Sequence, residues 1–141
     1  MKPQAGAFLD KARELLDHAD TMLRVGLNED AGRAAYLAGL HAAQALIFET
    51  TGRIFKRHST VRNEFGRLVK DEPRVDADLR AFLGRAYNLK TIADYETGPD
   101  SHVLPDTALQ AIPMARRFVE CVTSLIPPNG PASARASETP M

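Results

Sequence analysis

The sequence predicts an all-α domain of five helices, on three observations. Apolar residues recur at helical spacing in five separate segments, no segment reads convincingly as a strand, and glycine, proline or short polar turns stand between the segments. In the first segment Phe8, Ala12, Leu15, Leu16, Ala19, Met22 and Leu23 form the apolar stripe, with Lys11, Glu14, Asp17 and Arg24 opposite. Gly26 stops it and Asn28 is placed to cap the next helix.

The second segment, "AGRAAYLAGLHAAQALIFETTG", is apolar almost all round from Ala34 to Phe48, broken only by His41 and Gln44. A helix without a polar face belongs at the centre of a bundle or in a subunit interface, and its many alanines and glycines let a neighbour come close. Gly52 ends it. A short third helix is expected to open at Ser59 or Thr60, with Val61, Phe65, Leu68 and Val69 as its apolar side, and "DEPR" breaks it. Asp76 or Asp78 starts the fourth, whose stripe is Leu79, Phe82, Leu83, Ala86 and Ala93 and which ends at "TGPD". Asp106 is expected to cap the fifth, where Ala108, Ile112, Ala115, Val119, Val122 and Ile126 align. Pro113 lies inside that pattern and removes one backbone hydrogen bond. The stretch "PPNGPASARASETPM" has no apolar periodicity, so the chain divides into a helical domain, 1–126, and a disordered tail, 127–141.

The 141 residues are 44% hydrophobic and 26% charged, the composition of an ordinary globular domain. Lys plus Arg and Asp plus Glu are 18 each, so no global field points to nucleic acid or an anionic membrane. A local basic patch remains in "RIFKRHSTVR", with Arg53, Lys56, Arg57 and Arg62. The single cysteine, Cys121, rules out an intramolecular disulfide and reads as a small core residue. No leader and no apolar run long enough for a bilayer are seen, so a cytoplasmic protein with no membrane association is expected.

The chemistry is concentrated in "NLKTIADYE". At 100° per residue from Leu79, Lys90 falls at about 20°, inside the apolar stripe, with Asp94 at about 60° and Tyr87 at about 80° on the same side. A charge facing the core must pair, shift its pKa or reach water. Asp94 is the local partner, with Tyr87 in reach as a donor. Two readings follow: a structural ion pair whose lysine snorkels to the rim, or a polar cleft that meets a phosphate or a partner. His41 reads as a satisfied core histidine or as part of the same cleft. His58 follows the basic loop at a helix start, and His18 and His102 read as surface residues. Paired-histidine spacing, a Gly-rich phosphate loop and a serine nucleophile elbow are absent, so no metal or cofactor is expected.

The runs "AAYLAGLHAAQALIFETTG", "KRHSTVRNEFGRL" and "NLKTIADYE", in that order, resemble the HEPN family of small helical domains, in its single-domain bacterial and archaeal branch, over residues 5–126. The resemblance implies an up-and-down helical bundle that dimerises around a polar cleft and pairs with a small nucleotidyltransferase as a toxin–antitoxin couple. Active members cleave RNA without a metal through an Arg-x(4–6)-His motif, the histidine moving a proton and the arginine stabilising phosphate charge. Here the family arginine aligns with Lys90, and Asp94, Tyr95 and Glu96 stand where the histidine would be. Arg53 and His58 show the motif spacing elsewhere, as do Arg13 and His18. The expectation is therefore a homodimeric binding module that meets a nucleotidyltransferase, RNA or a nucleotide at Lys90, Asp94, Tyr95, Tyr87, His41 and His58. The alternatives are a metal-independent ribonuclease toxin using His58, Arg53 or His41, and a purely structural adaptor.

Overall fold

The computed structural model describes residues 1–95 and 105–127, and among these it contains five helices: α1 (Pro3–Arg24), α2 (Asn28–Thr51), α3 (His58–Leu68), α4 (Ala77–Tyr95) and α5 (Pro105–Leu125). They form the all-α, up-and-down bundle that the periodicity and the resemblance imply. The segment after Tyr95 that includes "TGPD" and His102 lies outside the described residues, as does the tail from position 128 onward.

The architecture follows from α2. Fourteen of its residues are buried, from Ala31 to Ile47, and it packs against all four other helices. Small side chains make this possible. A Cβ placed on Gly39 would stand 2.5 Å from Phe82 Cε2, and one on Gly32 would stand 3.2 Å from Leu89 Cβ. Gly32 faces Leu89 while Gly39 faces Phe82, so α2 and α4 run antiparallel in close contact. Gly52, in the left-handed conformation at φ 74°, ends α2 with its N–H on Phe48 O. Opposite α2, Phe118 of α5 packs on Phe65 and Phe82, each at 5.1 Å between ring centroids.

Side-chain hydrogen bonds pin the ends. Asp76 caps α4, accepting from the Leu79 N–H at 2.8 Å, and its other oxygen receives Arg117 of α5 at 2.6 Å. Arg80 donates to the carbonyls of Val69 and Glu72, each at 2.7 Å, which satisfies acceptors at the end of α3. Arg116 pairs with Asp20 and ties α5 to α1.

Several expected boundaries shift. Arg57, not Ser59 or Thr60, is the N-cap of α3, so His58 is its first helical residue. The N-cap of α2 is Leu27, and Asn28 is inside the helix without a side-chain cap. Pro105 opens α5, where its missing N–H costs nothing, and Asp106 sits in the first turn. Pro113 is an exposed residue inside α5. Cys121 is only half-buried, on the α5 face toward Arg74, rather than in the core. Among the described residues no helix is long and apolar enough to cross a membrane.

Candidate functional site

The antiparallel crossing of α2 and α4 places the first turns of α2 beside the last turns of α4. Lys90 lies one residue beyond Leu89 and Arg33 one residue beyond Gly32, so each cation flanks the Gly32–Leu89 contact of the two helices. Between them stands Asp94. Its Oδ2 receives Lys90 Nζ at 2.8 Å and its Oδ1 receives Arg33 Nε at 2.8 Å. The side chain of Lys90 keeps only 12% of its exposure and that of Asp94 keeps 21%, so the ammonium on the apolar stripe is shielded and paired rather than solvated. The bond from Lys90 is the main reason that the Asp94 carboxyl is held below the usual carboxylate range, with Arg33 adding to it. In turn Asp94 raises the Lys90 ammonium above its ordinary value. The exposed Tyr95 closes the outer side, with its hydroxyl 3.5 Å from Lys90 Nζ and its ring beneath the ammonium at 4.9 Å.

A second group meets at the start of α3. Tyr36 of α2 is fully buried, and its hydroxyl stands 3.2 Å from His58 Nδ1 and 3.3 Å from Arg62 Nη1. Arginine can only donate, so the Tyr36 oxygen accepts from Arg62, while the bond between Tyr36 and His58 Nδ1 takes its direction from the tautomer of the ring. Burial first, and then the charges of Lys90, Arg62, His41 and Arg33, push the His58 pKa down. Burial likewise raises Tyr36. Tyr87 of α4 packs its edge against Tyr36 at 5.5 Å and lies beneath the Arg62 guanidinium at 4.3 Å. Its hydroxyl is not the donor to the Lys90–Asp94 pair that the sequence suggests; the ring is turned inward, and Tyr95 takes that place.

The structure thus brings Lys90, Asp94, Tyr95, Tyr87 and His58 into one region and adds Arg33, Tyr36 and Arg62. Two cations, Arg33 and Lys90, share the Asp94 carboxylate, and a third, Arg62, stands over Tyr87 and on the Tyr36 hydroxyl beside His58. His41 stands apart from this group. Its Nδ1 is 2.7 Å from Gln44 Oε1, whose amide nitrogen donates to Phe55 O at 3.0 Å, and its ring stacks on Phe8 of α1. The Gln44 orientation fixed by Phe55 makes His41 Nδ1 the donor, and burial lowers its pKa. That is the environment of a satisfied interior histidine. Arg53 is not brought to His58: its guanidinium lies over Phe55 at 4.9 Å. Arg13 pairs with Asp10, and His18 is exposed. Among the described residues no group of three or more His, Cys, Asp or Glu could hold a metal ion.

The sequence carried a usable signal for Arg33 and Tyr36. They stand three residues apart at the start of the all-round apolar helix, where they share a face. What it lacked was the pairing of that face with the end of α4.

Fold and site together define a helical-bundle protein in which cationic and aromatic side chains gather where α2, α3 and α4 meet. The HEPN domain family matches residues 5–125, and the chain belongs to that family. It is 30% identical over 97 residues, 69% of this chain and 72% of the other, to a protein of Methanocaldococcus jannaschii that bears the name "Putative toxin MJ0605". The crystal structure of TT1696 from Thermus thermophilus is similar to it with a TM-score of 0.70 at 25% identity, covering 87% of this chain and 98% of that chain.

Proposed function

We propose that this chain is the HEPN component of a toxin–antitoxin-type pair, working in the cytoplasm as a homodimer with a small nucleotidyltransferase as its partner protein. In this reading residues 1–126 are the functional domain, 127–141 a dispensable tail, and the cleft binds the phosphate of RNA or of a nucleotide. The toxin name of the archaeal relative supports the biological class. The observation that supports the binding role is the pairing of Arg33 and Lys90 with the one carboxylate of Asp94, with Arg62 over Tyr87 nearby. An entering phosphate takes over the cations that Asp94 shares, Tyr87 and Tyr95 offer ring faces to a base, and His58 offers a ring nitrogen.

Binding is placed before catalysis because Lys90 stands where the family arginine aligns, and Asp94, Tyr95 and Glu96 stand where the histidine of the active members would be. A metal-independent ribonuclease is the second reading, favoured by the depressed His58 pKa beside three cations. The test is to incubate purified protein with single-stranded RNA and a chelator, and to titrate it with a nucleotide in a calorimeter. Intact RNA with measurable nucleotide binding supports the first reading. Cleavage that His58→Ala abolishes moves the assignment to the second. Should Lys90→Met change neither binding nor stability, the charged-pocket reading fails.

A further inference from the structure

His41 and Gln44 are the two polar interruptions of α2, and together they hold the loop that follows it. The buried Gln44 side chain receives His41 Nδ1 at 2.7 Å and donates its amide to the Phe55 carbonyl at 3.0 Å. The Phe55 ring packs against the core, and the Arg53 N–H is bound by Thr51 Oγ1 at 3.1 Å. The segment 53–57, between α2 and α3, is thus pinned at its start and at its middle. Outward it presents an aliphatic side chain among cations: Ile54 is 48% exposed, and Arg53, Lys56 and Arg57 are exposed with it. Among the described residues no ion pair or hydrogen bond engages the Lys56 or Arg57 side chain. Glu49 and Glu64, the acids of the adjoining helix turns, are already taken by the Lys2 N–H and by Arg67.

We infer that the 53–57 loop is a docking surface for a protein partner that presents an acidic segment with an apolar side chain among its carboxylates. The surface shares no residue with the Lys90–Asp94 pair and does not depend on the phosphate reading of that site. Charge complementarity and the exposed isoleucine select the occupant. An apolar centre inside a charged rim is the make-up of a protein–protein contact, and a loop already pinned by Gln44 loses little freedom on binding. A nucleic-acid strand has less to gain here. The patch offers no free aromatic face for a base, because the Phe55 ring lies beneath the Arg53 guanidinium at 4.9 Å. An anionic membrane is held by clusters of roughly four to eight cations or by a broad apolar face, and three cations with one isoleucine supply neither.

The test titrates the full chain with a fluorescent peptide of alternating glutamate and leucine, followed by anisotropy. Two control peptides carry serine for leucine or glutamine for glutamate, and each is expected to bind about tenfold more weakly. Lys56→Glu should weaken binding of the leucine peptide about tenfold and flatten its salt dependence. Ile54→Ser should weaken it about fivefold and leave the salt dependence as it was. Both side chains are exposed and lie outside the helices, so the fold is kept, which thermal melts check. Ile54→Ser should also leave nucleotide binding unchanged, so that failure of the docking surface and failure of the cleft read differently. Absence of binding to the leucine peptide overturns the proposal. So does equal affinity for the serine peptide, which reduces the loop to a bare cationic patch. Tighter binding of a single-stranded RNA, or of mixed phosphatidylcholine–phosphatidylserine vesicles, that Lys56→Glu weakens also overturns it, in favour of nucleic acid or a membrane surface.

Discussion

Arg33 on α2 and Asp94 on α4, 61 positions apart in sequence, are joined by a bond of 2.8 Å from Nε to Oδ1, and the remaining oxygen of the same carboxylate holds Lys90. Asp94 is therefore the shared counter-ion of two helices. The bond exists because Gly32 lets α4 come near enough for a side chain one residue on to reach across.

Replacing Asp94 with Asn should free both cations. Each partly exposed ion pair contributes at most about 1 kcal/mol, so the stability loss should stay near that size. Phosphate or nucleotide affinity should rise, by up to about tenfold if roughly 1.4 kcal/mol of competition is removed. Calorimetric titration checks the affinity and urea unfolding the stability; weaker binding would show that Asp94 touches the ligand itself.

The same pair fixes a pH window. Asp94 is depressed, chiefly by Lys90, so its contribution is complete above the usual carboxylate range, about pH 4, and is lost as pH falls through the folded value. Lys90 is raised by Asp94, so its contribution is complete below about pH 10.4 and is lost as pH rises through the folded value. The difference in urea midpoint between the wild-type chain and Asp94→Asn should be flat from about pH 5 to pH 9 and shrink outside it. A sloping difference at neutral pH would contradict this geometry.

His58 adds to the loss on acidification. Its folded pKa is lowered by burial and by the facing charges of Lys90, Arg62, His41 and Arg33. The unfolded chain takes up the proton near pH 6.5, so stability is retained above that point and falls as pH drops toward the folded value. His58→Gln should make this acid slope shallower, and a phosphate-bearing ligand should raise the His58 titration midpoint followed by NMR. An unshifted midpoint in the presence of bound ligand would remove His58 from the site.

Two glycines should respond in opposite directions. Gly39→Ala forces a Cβ against the Phe82 ring and should cost about 1–3 kcal/mol through overpacking of α2 on α4. Gly84→Ala meets open space and should stabilise by about 0.5–1 kcal/mol. Thermal melts of the two variants measure both, and equal shifts would mean that α2 and α4 are not in close contact.

Most of the bundle was legible because periodicity marks a helix wherever one face is buried. Lys90 was legible for the same reason, as a charge in phase with Leu79, Phe82 and Leu83. Asp94 followed as the only acid one turn away. Arg33 was not, since its role depends on which helix lies across from it and in which direction. Arg62 was visible only as part of a basic run, and its bond to the buried Tyr36 hydroxyl is a tertiary contact. Arg53 shows the converse: a motif spacing in the chain that a loop turns away toward Phe55. Helix starts moved by one or two residues because Arg57 and Leu27 end the preceding loops without any side-chain cap.

The carboxylate between Arg33 and Lys90 means that the cleft carries its own rival for any anion that enters. A singly charged visitor such as chloride merely matches what Asp94 supplies and has little to gain by entering. A doubly charged terminal phosphate, or a chain of diesters that engages Arg62 as well, exceeds it. In the proposed phosphate-binding role the tethered acid works as a threshold, filtering ligands by charge density before any base is touched.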